Sequence, residues 1–141
     1  MKIKNKKFVY LISPNQIKHN SFYINLNLVL KSNKVSFFQL RLKKESIKKK
    51  ILIDKKIKKI CKRNKVRFIV NDNPHVALKV NADGCHLGQK DMNIKKAKMI
   101  LRDKYIGITC HNSLRLAKNA NAICKALNYD VSKGSIIKCS L

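Results

Sequence analysis

This sequence is poor in acid. Seven Asp and Glu residues stand against 33 Lys and Arg, a formal net charge of +26 over 141 residues. An excess of that size is one footprint of nucleic-acid binding. The basic residues, however, are spread along the chain with the Asn and Ile that an AT-rich genome would produce. No aromatic residues are interleaved with them as base-stacking platforms would be. The pattern argues for compositional bias and against a nucleic-acid surface, although a positive field still attracts phosphorylated small molecules.

Other absences narrow the class further. No apolar run approaches the roughly 18 residues that a membrane helix needs. The basic start is followed by an apolar run of residues 8–12 alone, with no small-residue cleavage site, so no leader is expected and the expected location is cytoplasmic. The five cysteines (Cys61, Cys85, Cys110, Cys124, Cys139) make no CxxC pair and no zinc spacing. Cys85-His86 and Cys110-His111 are adjacent pairs, and neighbours on a strand point to opposite faces, so neither pair can chelate. The cysteines are expected to be reduced and mostly buried. Linkers and low-complexity tracts are absent, so residues 1–141 are expected to form a single domain.

What the chain does contain is an alternation of short apolar runs and helical patterns. Residues 8–12, 35–40, 66–70, 84–87 and 105–109 read as strands, continuously apolar as in sheets covered on both faces. Between them lie helical patterns. The first, residues 21–30, is ambiguous. Ile24, Leu26, Leu28 and Leu30 alternate like a strand, while Phe22, Leu26, Val29 and Leu30 fit a helix, which the context favours. Residues 46–62 repeat Ile53, Ile57, Ile60 and Cys61 at helical spacing behind a Ser46 cap. Asn73-Pro74 offers a cap and a first-turn proline for a short helix through Val80. Asn93 caps a helix whose Ile94, Ala97, Ile100 and Leu101 face inward. Asn112 or Ser113 starts a last helix carrying Leu116, Ala120, Ile123, Cys124 and Leu127. Beyond about Tyr129 the sequence shows no clear element. Five strand–helix units in alternation predict a parallel α/β fold.

In such folds ligands bind at the carboxyl ends of the strands. The residues there are Ser13 and Pro14 after the first strand, and Gln39, Arg41 and Lys43 at the end of the second. Asn71 and Asp72 follow the third, His86, Gln89 and Asp91 the fourth, and Thr109 and His111 the fifth. Gln39, Arg41 and Lys43 are spaced two apart and share a direction if strand geometry persists. Arg41 and Lys43 suit phosphate oxygens, one as a fork and one as a point charge. Asp72 and Asp91 suit magnesium (Mg2+), which takes one or two carboxylates and completes its shell with ligand phosphate oxygens. Two cations and two acids together point to a pyrophosphate carried with its metal. Gln39 can recognise a heterocycle. Each residue alone has a blander role: Asp72 as a helix cap, His86 as a core histidine, Gln39 and Lys43 as solvated edge residues. Taken together they favour a site.

Four motifs in order, QLRLK (residues 39–43), FIVND (68–72), ADGCHLGQKDM (82–92) and IGITCHN (106–112), resemble thiamine phosphate synthase, with coverage from about Phe8 to about Ala120. The resemblance implies a TIM (β/α)8-barrel-type fold, here incomplete, with about five β/α units of parallel sheet. It implies a transferase that joins an aminopyrimidine methyl pyrophosphate to a thiazole phosphate, giving thiamine phosphate and pyrophosphate. Gln39 would contact the pyrimidine, and Arg41, Lys43, Asn71 and Thr109 the pyrophosphate. His86 would line the pyrimidine pocket, and Asp72 and Asp91 would bind Mg2+. No proton-transfer or covalent role is assigned to any residue. Thiazole tautomerases share the barrel, but retention of Arg41, Lys43, Asp72 and Asp91 argues for the synthase.

The departure from the family comes late in the chain. A closed barrel needs eight strands and typically at least about 200 residues. The only glycine after Gly107 is Gly134, so the glycine-rich phosphate loop of the family is not present. Residues from about 121 to 141 read as a divergent tail. The expectation is a truncated, N-terminal part of a synthase, impaired alone because it lacks the thiazole-phosphate half. It would be prone to self-association through unpaired strand edges or would be completed by a second chain. A non-catalytic binding or assembly fragment of a split barrel is the alternative.

Overall fold

A computed structural model describes residues 9–110, 113–115 and 118, and the backbone of 135–138. The chain forms two compact units, Met1–Phe68 and Ile69–Leu141. No helix among the described residues is long and apolar enough to cross a membrane.

The first unit contains β1 (Val9–Ile12), α1 (Ser21–Leu30), β2 (Val35–Leu40) and α2 (Ile47–Arg63). β1 and β2 are parallel, with Ile12 opposite Gln39. The ambiguous segment is helical. Leu26 and Leu30, common to both patterns, are buried, whereas Ile24 and Leu28, which a strand would have placed on the same face, are exposed. A spacing of four settles the choice, since it brings two side chains to one face of a helix. Asn64 Nδ2 donates to Asn27 Oδ1 at 2.9 Å, and Lys56 Nζ lies 3.7 Å from the centre of the Tyr23 ring. Both contacts fasten α1 to the α2 end of the unit.

Ser46 caps α2 as its type requires, its Oγ accepting from the Lys49 amide at 3.3 Å. The buried stripe of α2 is Asp54, Ile57 and Cys61. Ile53 and Ile60, counted as inward from the apolar repeat, are half-buried. Asp54 takes the turn that Ile53 was expected to fill. It is 3% exposed, and burial pushes its carboxyl up to about 7, against a smaller opposing pull from Lys50.

β3 (Arg67–Asn71) begins with the last two residues of the first unit and runs into the second, which contains α3 (Pro74–Lys79), β4 (Gly84–Leu87), α4 (Ile94–Leu101), β5 (Tyr105–Thr109) and β6 (Ser135–Lys138). β3, β4, β5 and β6 pair in that order, all parallel. Parallel neighbours require crossovers, and α3 and α4 supply the first two. Asn73 Oδ1 accepts from the Val76 amide at 3.0 Å, and Asn93 Oδ1 from the Lys95 amide at 2.8 Å, so both predicted caps are in place. Every residue of β4 is buried, as a strand covered on both faces requires. Ala97 and Leu101 of α4 are buried, and Ile94 and Ile100 are half-buried.

β6 is a correction to the sequence reading, which expected five strands and no element after Tyr129. Four residues with a single apolar pair carry too little pattern to announce a strand, yet their backbone pairs with β5, Gly107 opposite Ile136. Of the expected last helix, Leu114, Arg115 and Lys118 are described and helical. Leu116, Ala120, Ile123, Cys124 and Leu127 lie outside the described residues. Cys61, Cys85 and Cys110 are in thiol form and buried, as expected; Cys124 and Cys139 lie outside the described residues.

Candidate functional site

The expected site residues divide between the units. Gln39, Arg41 and Lys43 belong to the first, and Asn71, Asp72, His86, Asp91 and Thr109 to the second.

In the first unit the loop after β1 is laced onto the end of β2. The Ser13 amide donates to the Gln39 carbonyl at 2.9 Å. Ser13 Oγ accepts from the Arg41 amide at 2.9 Å and donates to the Pro14 carbonyl at 2.9 Å. β2 therefore ends at Leu40, where a serine hydroxyl takes over the backbone donor of Arg41. The Arg41 guanidinium donates through Nη1 to Asn15 Oδ1 at 3.0 Å, which fixes its direction. Gln39 is 2% exposed, and its Oε1 accepts from the Tyr10 hydroxyl at 3.1 Å. Tyr10 is in turn stacked on Phe37, ring centres 5.7 Å apart. The Tyr10 hydroxyl thereby fixes the amide of Gln39.

The common direction expected for Gln39, Arg41 and Lys43 required β2 to persist. It stops at Leu40, and the three residues are respectively buried, half-buried and exposed. Lys43 is held by its backbone, whose amide donates to the Asn15 carbonyl at 3.3 Å. Sequence reasoning assigned no role to Tyr10, Ser13 or Asn15. The signal for Ser13 was present, since a hydroxyl directly after a buried strand is a common local hydrogen-bonding device.

In the second unit the acids follow adjacent strands. Asn71 is the last residue of β3, opposite His86. Asp72 adopts a left-handed backbone, φ 65°, and its amide donates to the His86 carbonyl at 2.7 Å. That conformation is uncommon outside glycine and tolerated best by Asp and Asn. The helix-cap role considered for Asp72 is taken by Asn73, and Asp72 is an exposed residue at the strand end. Asp91 closes the loop after β4: its Oδ2 accepts from the Gly88 amide at 2.5 Å, and its own amide donates to the Gly88 carbonyl at 3.3 Å. A Cβ at position 88 would lie 2.9 Å from Asp91 Oδ2, so a side chain there would press on the carboxylate.

His86 is 6% exposed, and its Nε2 lies 2.7 Å from Thr109 Oγ1 at the end of β5. His86 is paired across the sheet with Gly107. This histidine is buried, as its bland reading held, and it is also bonded to a residue of the expected site.

The donor set suits magnesium. Among the described residues no three His, Cys, Asp or Glu side chains cluster as a metal cage. Asp72 and Asp91 are hard oxygen donors after neighbouring strands. A cation taking one or two carboxylates and finishing its shell with water and phosphate is the magnesium pattern, and a thiolate or imidazole cage is not.

Parallel strands alternating with helices define an α/β protein of the (β/α)8-barrel type. The family model described as thiamine monophosphate synthase matches residues 9–130. The chain belongs to that family. It is 65% identical over 116 residues to a thiamine-phosphate synthase of Pelagibacter ubique (strain HTCC1062), covering 82% of this chain and 56% of the relative. It is 34% identical over 140 residues to a thiamine-phosphate synthase of Campylobacter jejuni (serotype O:23/36, strain 81-176), covering 96% of this chain and 66% of the relative. The solved structure of thiamine phosphate pyrophosphorylase from Pyrococcus furiosus superposes with a TM-score of 0.73 at 28% identity, covering 82% of this chain and 55% of that one. The chain thus spans between about half and two thirds of the length of these proteins.

Proposed function

We propose that this chain carries the pyrimidine-pyrophosphate half of a thiamine phosphate synthase. The observation behind the reading is the retention, in a chain of this family, of two oxygen-donor acids after adjacent parallel strands, Asp72 and Asp91. In this reading Gln39, oriented by Tyr10, reads the pyrimidine edge. By the family resemblance Arg41, Lys43, Asn71 and Thr109 would each donate to pyrophosphate oxygens, and Asp72 and Asp91 would hold magnesium. Bound magnesium would neutralise charge on the departing pyrophosphate.

The reaction proposed for the whole synthase breaks the bond between the pyrimidine methylene and the pyrophosphate oxygen. The electron pair leaves on the pyrophosphate, and the thiazole nitrogen supplies the pair that forms the new C–N bond. Cationic donors fixed before the reaction stabilise the leaving group most, because they need no reorganisation as charge develops. The Arg41–Asn15 contact is a fixing of that kind, and the Thr109–His86 contact fixes a neutral donor in the same way. For this chain the proposed activity is binding of the first substrate, in the cytoplasm, and the second substrate is thiazole phosphate. Titration calorimetry with aminopyrimidine methyl pyrophosphate tests it. Binding at least about tenfold tighter in magnesium than in chelator, about 1.4 kcal/mol, is expected. Equal affinity in the two would contradict the reading.

A further inference from the structure

Gly107 stands in the middle of β5, where glycine weakens a strand unless something must approach closely. What approaches is the imidazole of His86, its cross-strand partner on β4. A Cβ at position 107 would lie 2.4 Å from His86 Nδ1, 3.2 Å from Cγ and 3.3 Å from Cε1. The ring therefore occupies the volume that any side chain on Gly107 would need. Two residues further along β5, on the same face by the period of a strand, Thr109 presents its Oγ1 2.7 Å from His86 Nε2. The ring spans from one position to the next, seated on the glycine and bonded to the hydroxyl.

We propose that Gly107 is a positioning residue: its bare Cα seats the His86 imidazole so that Nε2–H donates to Thr109 Oγ1 and commits the Thr109 hydroxyl proton to an anionic ligand. The inference rests on the reading above, in which Thr109 meets pyrophosphate. The direction of the proton follows from donor counting. A threonine hydroxyl has one proton and two lone pairs, and a phosphate oxygen only accepts. If Thr109 gives its proton to the ligand, its oxygen must accept from His86, which places the neutral imidazole's proton on Nε2. The opposite tautomer would consume the hydroxyl proton within the protein and present only lone pairs to an anion. A small residue at 107 thus decides whether the end of β5 donates to phosphate or repels it.

The test uses the full chain, inorganic pyrophosphate with magnesium as the probe, and nitrogen-15 NMR of the histidine rings. The wild-type His86 signal should show its proton on Nε2 with a one-bond coupling. Gly107→Ala should move that signal and weaken pyrophosphate binding about tenfold. Thr109→Val, which keeps shape and loses the hydroxyl, should weaken binding to a similar degree, and Thr109→Ser should restore it. The Gly107→Ala, Thr109→Val double variant should bind no worse than either single variant, because both remove one donor. Additive losses, an unmoved His86 signal in Gly107→Ala, or a proton on Nδ1 in the wild type would each overturn the inference. Should Gly107→Ala not fold, the valine–serine comparison at 109 with the His86 tautomer decides alone. A wild type that shows the Nε2 proton but binds no pyrophosphate would refute the proposed function, and with it the ligand assigned to Thr109, while leaving the seat itself established.

Discussion

Asp54 shows how much a single side chain can weigh in this molecule. Its carboxyl is buried on α2 and its pKa is pushed from 3.8 to about 7 by loss of solvent. Between those values the folded state holds more protons than the unfolded one, so this group makes stability fall as pH rises from about 4 to about 7. The full cost, on the order of 4 kcal/mol for a three-unit shift, is present above pH about 7 and absent below pH about 4. Asp54→Asn should therefore raise Tm relative to the parent at pH 8 and match it at pH 4, as read by thermal melts of both proteins across that range. Parallel curves would mean that Asp54 finds a compensating partner. None of this was legible in the sequence, where counting apolar residues at helical spacing puts the isoleucines inward and treats an acid as solvated. That Asn71, Asp72, His86, Asp91 and Thr109 fall in or after the later parts of strands was legible because the strands themselves were. The partners of Tyr10, Asn15 and Gly107 were not, since a side chain or a glycine declares its partner only once strands are paired; of Ser13 only its place directly after a buried strand could be read.

At the scale of elements, caps carried more information than periodicity. Asn73 accepts from the Val76 amide and Pro74 follows it at the first turn, so a six-residue helix is defined at its start by two residues. Asn73→Ala should cost about 1 kcal/mol of stability, as expected for a lost N-cap, measured by urea unfolding at constant m-value. A loss below a few tenths would show that α3 is held by packing alone. Ile57, 0% exposed on α2, is the corresponding packing probe. Ile57→Ala should cost between about 2 and about 5 kcal/mol, the range for emptying a closed core position. The element order from β1 to β5 was readable because strands covered on both faces are continuously apolar, and helices between them are marked by Ser46, Asn73 and Asn93. β6 escaped because four residues with one apolar pair hold no period, and pairing with β5 is what makes them a strand. β2 has the bounds read from the sequence, Val35–Leu40; what could not be read is that strand geometry does not persist to Lys43, since only the Ser13 hydroxyl bonded to the Arg41 amide shows where the ladder stops.

For the whole molecule, charge is the dominant quantity. A net charge of +26 on 141 residues repels itself in the compact state. Raising ionic strength from about 0.01 M to about 0.15 M shortens the screening length from about 30 Å to about 8 Å, so Tm should rise over that interval; a flat response would show that the lysines are already neutralised by pairing or bound anions. The same charge makes a gel-shift assay informative. Retention of nucleic acid should vanish at physiological salt if the lysines are compositional, because binding through phosphate contacts alone is lost steeply with salt. The chain spans between about half and two thirds of the synthases it matches, so the question that matters most is what its own residues hold. The central claim is that Asp72 and Asp91 hold magnesium for a pyrophosphate ligand, and calorimetry of the Asp72→Ala, Asp91→Ala double variant with aminopyrimidine methyl pyrophosphate addresses it directly. The account predicts that the double variant binds the ligand equally with and without magnesium, and at least about tenfold more weakly than the parent in magnesium, about 1.4 kcal/mol. Equal magnesium-dependent binding by the variant and the parent would contradict it.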